Sequence, residues 1–424
     1  SSDVCSSDLL VIYNTQSFFN NYTIYSMYRT GFYFPEIFRE RYDAVREKYG
    51  SQVDSYLAYT LVGDPLADAV VEEFHALGRH DLMHVLAQAL DEGIETIPDA
   101  PESLQRLFEE NIDRVPYWVN REMMKTGTEV FLDHSEVFLA SFTARVLPLG
   151  FMTSINKPFA ATHRLEESGV SRLRANNRHF VESFLPGGME RFGDGFKLSV
   201  RIRMIHAHLR QLFIKRGEWD SNRLGHPLHS AHTTFAYVAF SAMLWETGKM
   251  LGMIESEKRS AGFMNVWKYM GYLMGIPADL LVDTVEEGVK IFNMGWDLDH
   301  NVDDDARRIV HTLIHAAPVV ANVTDPKERE DLTEKIYSVS RGLLGDELAD
   351  ALHYPQHSGQ LTTALLRAQV KWMHWKDILI PGAKEKHRLA SMEKLFDVSY
   401  FQNIKIDYTP PKDVRFHKGD HEAN

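Results

Sequence analysis

Cysteine is almost missing from this chain: Cys5 is the only one in 424 residues. A lone thiol excludes a disulfide framework, a cysteine metal cage and a thiolate anchor for a cofactor. Positive charge is in deficit as well, with 46 Lys and Arg against 59 Asp and Glu and a formal charge of −13. Phosphate backbones are held by a concentrated cationic face, so this balance argues against a nucleic-acid partner. Long apolar runs are lacking too; none reaches the roughly 18 residues that a membrane-spanning helix needs. Strand signals are few, and no Asn-Gly or Asp-Gly turn stands between alternating runs. Neither a repeat of fixed period nor a low-complexity tract interrupts the sequence.

What remains is helical. Hydrophobic residues make up 44% of the chain and charged ones 25%, enough apolar material for a large core with a pocket inside it. Apolar residues recur at spacings of three and four over 66–76, 82–90, 103–108, 130–145, 200–215, 229–251, 262–274, 278–294, 306–316, 328–344 and 360–379. Breaks fall at 98–101, 148–150, 186–195 and 225–227, each marked by Pro or Gly. The pattern predicts an all-α fold with a single large helical domain over residues 60–380, an N-terminal extension over 1–59 and a C-terminal arm over 381–424. Residues 1–9 differ in character from the rest and are set aside as foreign to the fold, Cys5 with them. The expected compartment is the cytoplasm.

The most specific stretch covers residues 199–210. On a helix Arg203, His206 and Arg210 lie three and four residues apart and share a face, while Ile202, Ile205, Leu209 and Leu212 cover an adjoining one. An imidazole with a guanidinium one turn to either side suits haem: the ring can bind iron while fixed cations meet the two carboxylates of the porphyrin. Spacing alone fits an ordinary salt-bridged helix face at least as well.

Beyond spacing, the stretch resembles the signature of the rubber-oxygenase catalytic domain family. The run Ile202-Arg203-Met204-Ile205-His206-Ala207-His208-Leu209-Arg210 matches that family's Val-Arg-x-x-His-Ala-x-x-Arg, with Ile for Val. Upstream, Arg172-Leu173, Phe180 and Pro186-Gly187-Gly188 resemble its Arg-Leu, Phe and Pro-Gly-Gly approach to that helix. Downstream, Gly225 and Pro227 followed by Phe240-Ser241 resemble its Gly-x-Pro and Phe-Ser segment, and Trp267, Gly271 and Gly275 its Trp-x-x-x-Gly-x-x-x-Gly. The resemblance spans roughly residues 60 to 350.

It implies an all-helical domain that holds haem b, with His206 as the iron ligand, and reaction with O2 on a small apolar substrate. In the family that reaction is oxidative cleavage of isoprenoid carbon–carbon double bonds. Matched residue by residue, Arg172 takes the place of a distal arginine and Asn176 that of the family's threonine. No acidic residue aligns with the family's glutamate base; Glu166 and Glu167 are close but differently spaced.

His226, His229 and His232 follow one another at spacings of three, with Pro227 marking the first as a cap or loop residue. His232 is the candidate for a distal or supporting histidine beside the cofactor; a purely structural role is the alternative. Over residues 297–305 Asp recurs at alternate positions, as in a calcium loop. That loop needs Gly where Val302 stands and Glu where Arg308 stands, so the acids predict a helix N-terminus instead. Two further function classes stay open. A metal-dependent phosphohydrolase of the HD type would use His80-Asp81 with His75 and His84, and a non-catalytic helical carrier of haem or lipid would need the same apolar pocket. A di-iron bundle requires two Glu-x-x-His repeats, and Glu72 to His75 supplies one.

Overall fold

The computed structural model describes residues 33–161, 165–217, 219–356 and 359–399, and of 165–168 and 396–399 it describes the backbone alone. Residues 1–9, the Glu166 and Glu167 side chains, and the expected arm from residue 400 onward lie outside the described residues. Among the described residues there are helices and turns and no strand.

The longer helices are α1 (Arg39–Tyr49), α2 (Pro65–Ala76), α3 (Leu82–Glu92), α4 (Arg121–Ser141), α5 (Leu165–Phe184), α6 (Asp194–Arg216) and α7 (Ser230–Val238). They continue as α8 (Glu257–Leu273), α9 (Val285–Asp299), α10 (Asp304–Val320), α11 (Pro326–Leu344), α12 (Gly359–Leu379) and α13 (Ala383–Ser399). Their ends follow local chemistry. Pro65 opens α2, where its missing N–H costs nothing, and the Asp64 carboxylate accepts from the Ala67 amide. Thr284 and Glu287 close a reciprocal capping box at the start of α9. That box puts the start of the helix expected over 278–294 seven residues downstream, leaving a short 3-10 turn at Ala278–Leu280. Asp303 caps α10 through the Ala306 amide, so the run of acids is a helix start as its charge pattern predicts. Gly217 ends α6 in the left-handed conformation.

Two wide i→i+5 turns, Phe142–Val146 after α4 and Ala239–Met243 after α7, interrupt what the periodicity presents as continuous helices. Such turns bulge the backbone and re-aim the side chains beside them. Helix α5 shows no clean periodicity, because Gly169, Asn176, Asn177 and several charges dilute its apolar face. It forms because α4, α6 and α10 bury it, a case of packing overriding propensity.

The core is an aromatic seam between α4, α5 and α8. Phe138 stacks on Phe263 with ring centroids 4.9 Å apart, Phe184 lies 5.1 Å from Phe263, and Phe180 sits 4.8 Å from Phe131 and 5.5 Å from Trp267. Each such ring contributes about 2–3 kcal/mol through burial. Helices α4 and α8 come so close that a Cβ on Gly127 would sit 2.5 Å from the Gly262 carbonyl oxygen. Glycine inside a helix costs about 1 kcal/mol in propensity, and here it permits the central contact.

Two ends set apart on composition prove packed where they are described. Phe38, Val45, Val53 and Leu57 form a cluster with Met294 and Leu298 of α9. Helix α13 lies against α4 and α5, and its Arg388 and Lys384 both meet Asp133 of α4. No described helix is long and apolar enough to cross a membrane.

Candidate active site

Helix α6 carries His206, and two ion pairs fix it against α2. Arg203 donates through Nε and Nη2 to the two oxygens of Asp64, at 2.5 and 2.9 Å, and through Nη1 to the Asn111 side chain at 2.6 Å. Two turns on, Arg210 donates through Nε to Asp68 at 2.8 Å and through Nη1 to the Leu228 carbonyl at 3.2 Å. Both guanidinium groups are buried. Burial pushes the Asp64 carboxyl up, but Arg203, Arg210 and the Ala67 amide outweigh it and leave it below the usual range. Asp68, desolvated and next to the charge of Asp64, is instead pushed up to about 6 despite Arg210.

Arg203 and Arg210 are expected at a cofactor's carboxylates; their described partners are Asp64 and Asp68. Arg210 keeps Nη2 buried without a partner, and neither arginine lines the cavity that His206 fronts. The salt-bridged face that spacing alone allowed is what forms, buried rather than exposed.

Glycine is required beside this clamp. Gly275 has φ +79°, and a Cβ there would lie 2.2 Å from Asp64 Oδ2 and 2.7 Å from Arg203 Nε. The clash falls on a buried ion pair, so Gly275→Ala is expected to cost about 3–5 kcal/mol in chemical denaturation. A loss below about 1 kcal/mol would mean that the pair can move aside.

His206 points the other way, into a cavity of about 170 Å³. Its walls are apolar and include Phe142, Phe151, Phe180, Phe240 and Trp267. The imidazole makes no hydrogen bond with any described residue, and it is only partly buried because its ring fronts this space. Asn176, His179, His232, Thr233 and Tyr237 also line the wall, the last with its hydroxyl turned to the Val282 carbonyl; no lysine or arginine lines it among the described residues.

The hydrogen-bond pattern assigns the tautomers of two histidines. Ser199 Oγ donates to the Gly195 carbonyl at 2.8 Å, so it accepts from His179 Nε2–H at 2.8 Å and leaves Nδ1 of His179 as a bare acceptor. Ser154 Oγ donates to Asp299 at 2.5 Å and accepts from His232 Nε2–H at 2.7 Å. His232 Nδ1 then keeps a lone pair, buried and unpartnered. The His232 ring stacks on that of His229 with centroids 3.7 Å apart. His229, rather than His226, caps α7, its Nδ1 accepting from the His232 amide at 3.0 Å.

Burial pushes His179, His206 and His226 down to about 4, and His229 further. A histidine held below its unfolded value near 6.5 stabilises the fold fully above that pH and loses the contribution as pH falls towards 4. The Tm is therefore expected to drop steeply between about pH 6.5 and about 4.5, each fully buried ring costing up to about 3 kcal/mol. A flat profile across that window would refute the buried neutral rings.

Of the other expected site residues, Asn176 and His232 reach the cavity. Arg172 lies over the ring of Phe159, 5.0 Å from its centroid, and Phe159 in turn lines the wall. Three participants, His179, Ser154 and Asp299, have no role at the site that the sequence leads one to expect. His179 lies seven residues after Arg172 and three after Asn176, a spacing that could have revealed it. Ser154 and Asp299 stand 145 residues apart, and nothing in the sequence joins them.

Comparison with known proteins decides the family. The profile described as "ER-bound oxygenase mpaB/B'/Rubber oxygenase, catalytic domain" matches residues 128–375. The chain belongs to this oxygenase family. The structure of latex clearing protein LCP in its closed state superposes with a TM-score of 0.64 at 16% identity, covering 80% of this chain and 91% of that one. At that identity the likeness shows a shared fold. No curated protein matches.

Membership in an oxygenase family leaves no support for the phosphohydrolase alternative, and neither does the geometry. His75, His80 and His84 are exposed, and Asp81 is paired with Arg79 at 2.7 Å. No group of three or more His, Asp, Glu or Cys among the described residues is arranged to hold a metal ion.

Proposed function

We propose that this member of the rubber-oxygenase family is a haem b-dependent oxygenase, with His206 as the iron ligand, acting with O2 on an apolar isoprenoid or unsaturated lipid-like molecule. The observation that carries the reading is the unpaired, neutral imidazole of His206, which fronts an apolar cavity from a helix clamped on both sides. A ligand histidine must offer a lone pair and a fixed direction. Burial supplies the first by keeping the ring uncharged, and the two arginine–aspartate pairs supply the second.

The walls fit a porphyrin in chemistry, since aromatic rings and Met270 and Met274 face the space. In size the cavity falls below the roughly 300–1,000 Å³ of typical small-molecule sites, so a bound cofactor displaces side chains; methionine, unbranched and flexible, yields readily. Bound haem supplies the electron and oxygen chemistry that no side chain here can provide. The protein groups do the rest. Phe142, Phe180, Phe240 and Trp267 exclude water, which strengthens every polar contact inside. Asn176 offers an amide donor to negative charge developing on the reacting atoms. His232, oriented by Ser154 and Asp299, holds an acceptor nitrogen that can take up or return a proton, and His179 presents a second. Apolar walls with so few polar groups select a substrate without charge.

Titrating the purified chain with haem tests the reading. One equivalent should be taken up with a Soret band; a chain that gains none is no haem oxygenase. Oxygen uptake with candidate alkenes then separates an oxygenase from a haem or lipid carrier.

A further inference from the structure

A second cavity, of about 600 Å³, adjoins the first across α5. Leu173 and Asn177 front it, while Asn176, His179 and Phe180 front the His206 cavity. Its wall includes Val137, Ala140, Ala144, Val320, Ile336 and Val339. The lining follows one wall from Asp133 through Val137 and Ala140 to Ala144, so the space suits an extended molecule. Charged side chains gather towards the Asp133 end and are matched with one another. Asp133 meets Arg259, Lys384 and Arg388; Glu255 meets His134 and Arg259; Asp377 meets His387.

Thr143, Lys335 and Gln369 also front the space, but Asn177 is the polar side chain buried in its apolar wall. Asn177 is only 4% exposed, its Oδ1 is buried without a partner, and its amide makes no hydrogen bond with any described residue. Native proteins rarely leave a buried amide unpaired, because the group has given up water for nothing. Here it fronts a cavity of the size that takes small organic ligands.

We propose that this cavity binds an extended aliphatic molecule bearing one neutral oxygen, a hydroxyl or carbonyl, which the Asn177 amide hydrogen-bonds. The aliphatic wall takes the chain and the amide takes the oxygen. An ionised head group has no counterpart at Asn177; the cations at the Asp133 end are matched by carboxylates and Lys335 is exposed to solvent, so a charge buried beside the amide would go uncompensated. The site is separate from the haem reading and stands whether or not that reading holds.

1-Decanol added to the purified full chain, with or without haem, should bind at one site and raise the Tm, and decanoate should bind more weakly. Asn177→Leu keeps the volume and removes the amide. It should raise the Tm of the free protein, which no longer buries an unpaired group, while weakening 1-decanol roughly tenfold. Those two shifts run in opposite directions, which a merely structural asparagine would not produce. Ala140→Phe places a ring in the cavity and should abolish 1-decanol binding with helical circular dichroism unchanged. Equal affinity in wild type and Asn177→Leu, tighter binding of decanoate than of 1-decanol, competition between haem and 1-decanol, or no 1-decanol binding would each overturn the assignment.

Discussion

His206→Ala is expected to yield a folded protein that takes up no haem, with complete loss of the Soret band and of any oxygen-dependent turnover. The fold should survive because the imidazole contributes no hydrogen bond to it and already fronts open space. Truncating such a ring enlarges a cavity without stranding a partner, at a cost of about 1–2 kcal/mol. Helix α6 remains fixed by Arg203 and Arg210. Loss of the cofactor with little loss of stability is the signature of a ligand, and the two are read separately, by absorption and by thermal melting. His179 provides the control. It lines the same cavity, so a Soret band that persists in His206→Ala and disappears in His179→Ala would move the iron ligand to α5. Restoration of a band in His206→Ala by free imidazole would support the assignment further.

Asp64→Ala should be the most destabilising single change in the clamp, at about 3–5 kcal/mol. It leaves the Arg203 guanidinium at 3% exposure, with two of its three hydrogen bonds lost. Removing the α2 cap adds about 1 kcal/mol. That sum approaches the whole stability of many domains, so urea midpoints are compared at low temperature. Arg203→Met in the same background removes the stranded charge and should recover a good part of the loss; no recovery would show that the cap and the Gly275 contact, rather than the ion pair, carry the effect. Asp68→Ala should cost less. Its carboxyl is already pushed up to about 6, so its charge contributes less net energy to the pair.

The sequence by itself determined the helical class. The 3.6-residue recurrence of apolar positions is a local property, and the helices it marks form within a few residues of where the pattern runs, at α2, α3, α6, α11 and α12. Caps were legible for the same reason, since Asp303 needs only the amide three residues ahead. The signature that carries the proposed ligand His206 is contiguous, Ile202 to Arg210 on one helix, so reading it needs no tertiary information.

Only tertiary structure decided what the arginines beside it do. A guanidinium at position 203 or 210 reads the same whether it will meet a cofactor or an aspartate, and the choice was made by Asp64 and Asp68, on a helix some 140 residues away. The same limit hid α5, whose diluted pattern is overridden by burial between three other helices. It hid the Asp299–Ser154–His232 chain, joined solely by the close approach of distant segments. It hid Asn177 most fully: an unpaired amide differs from a paired one only in what surrounds it, and burial and empty space are properties of the folded chain.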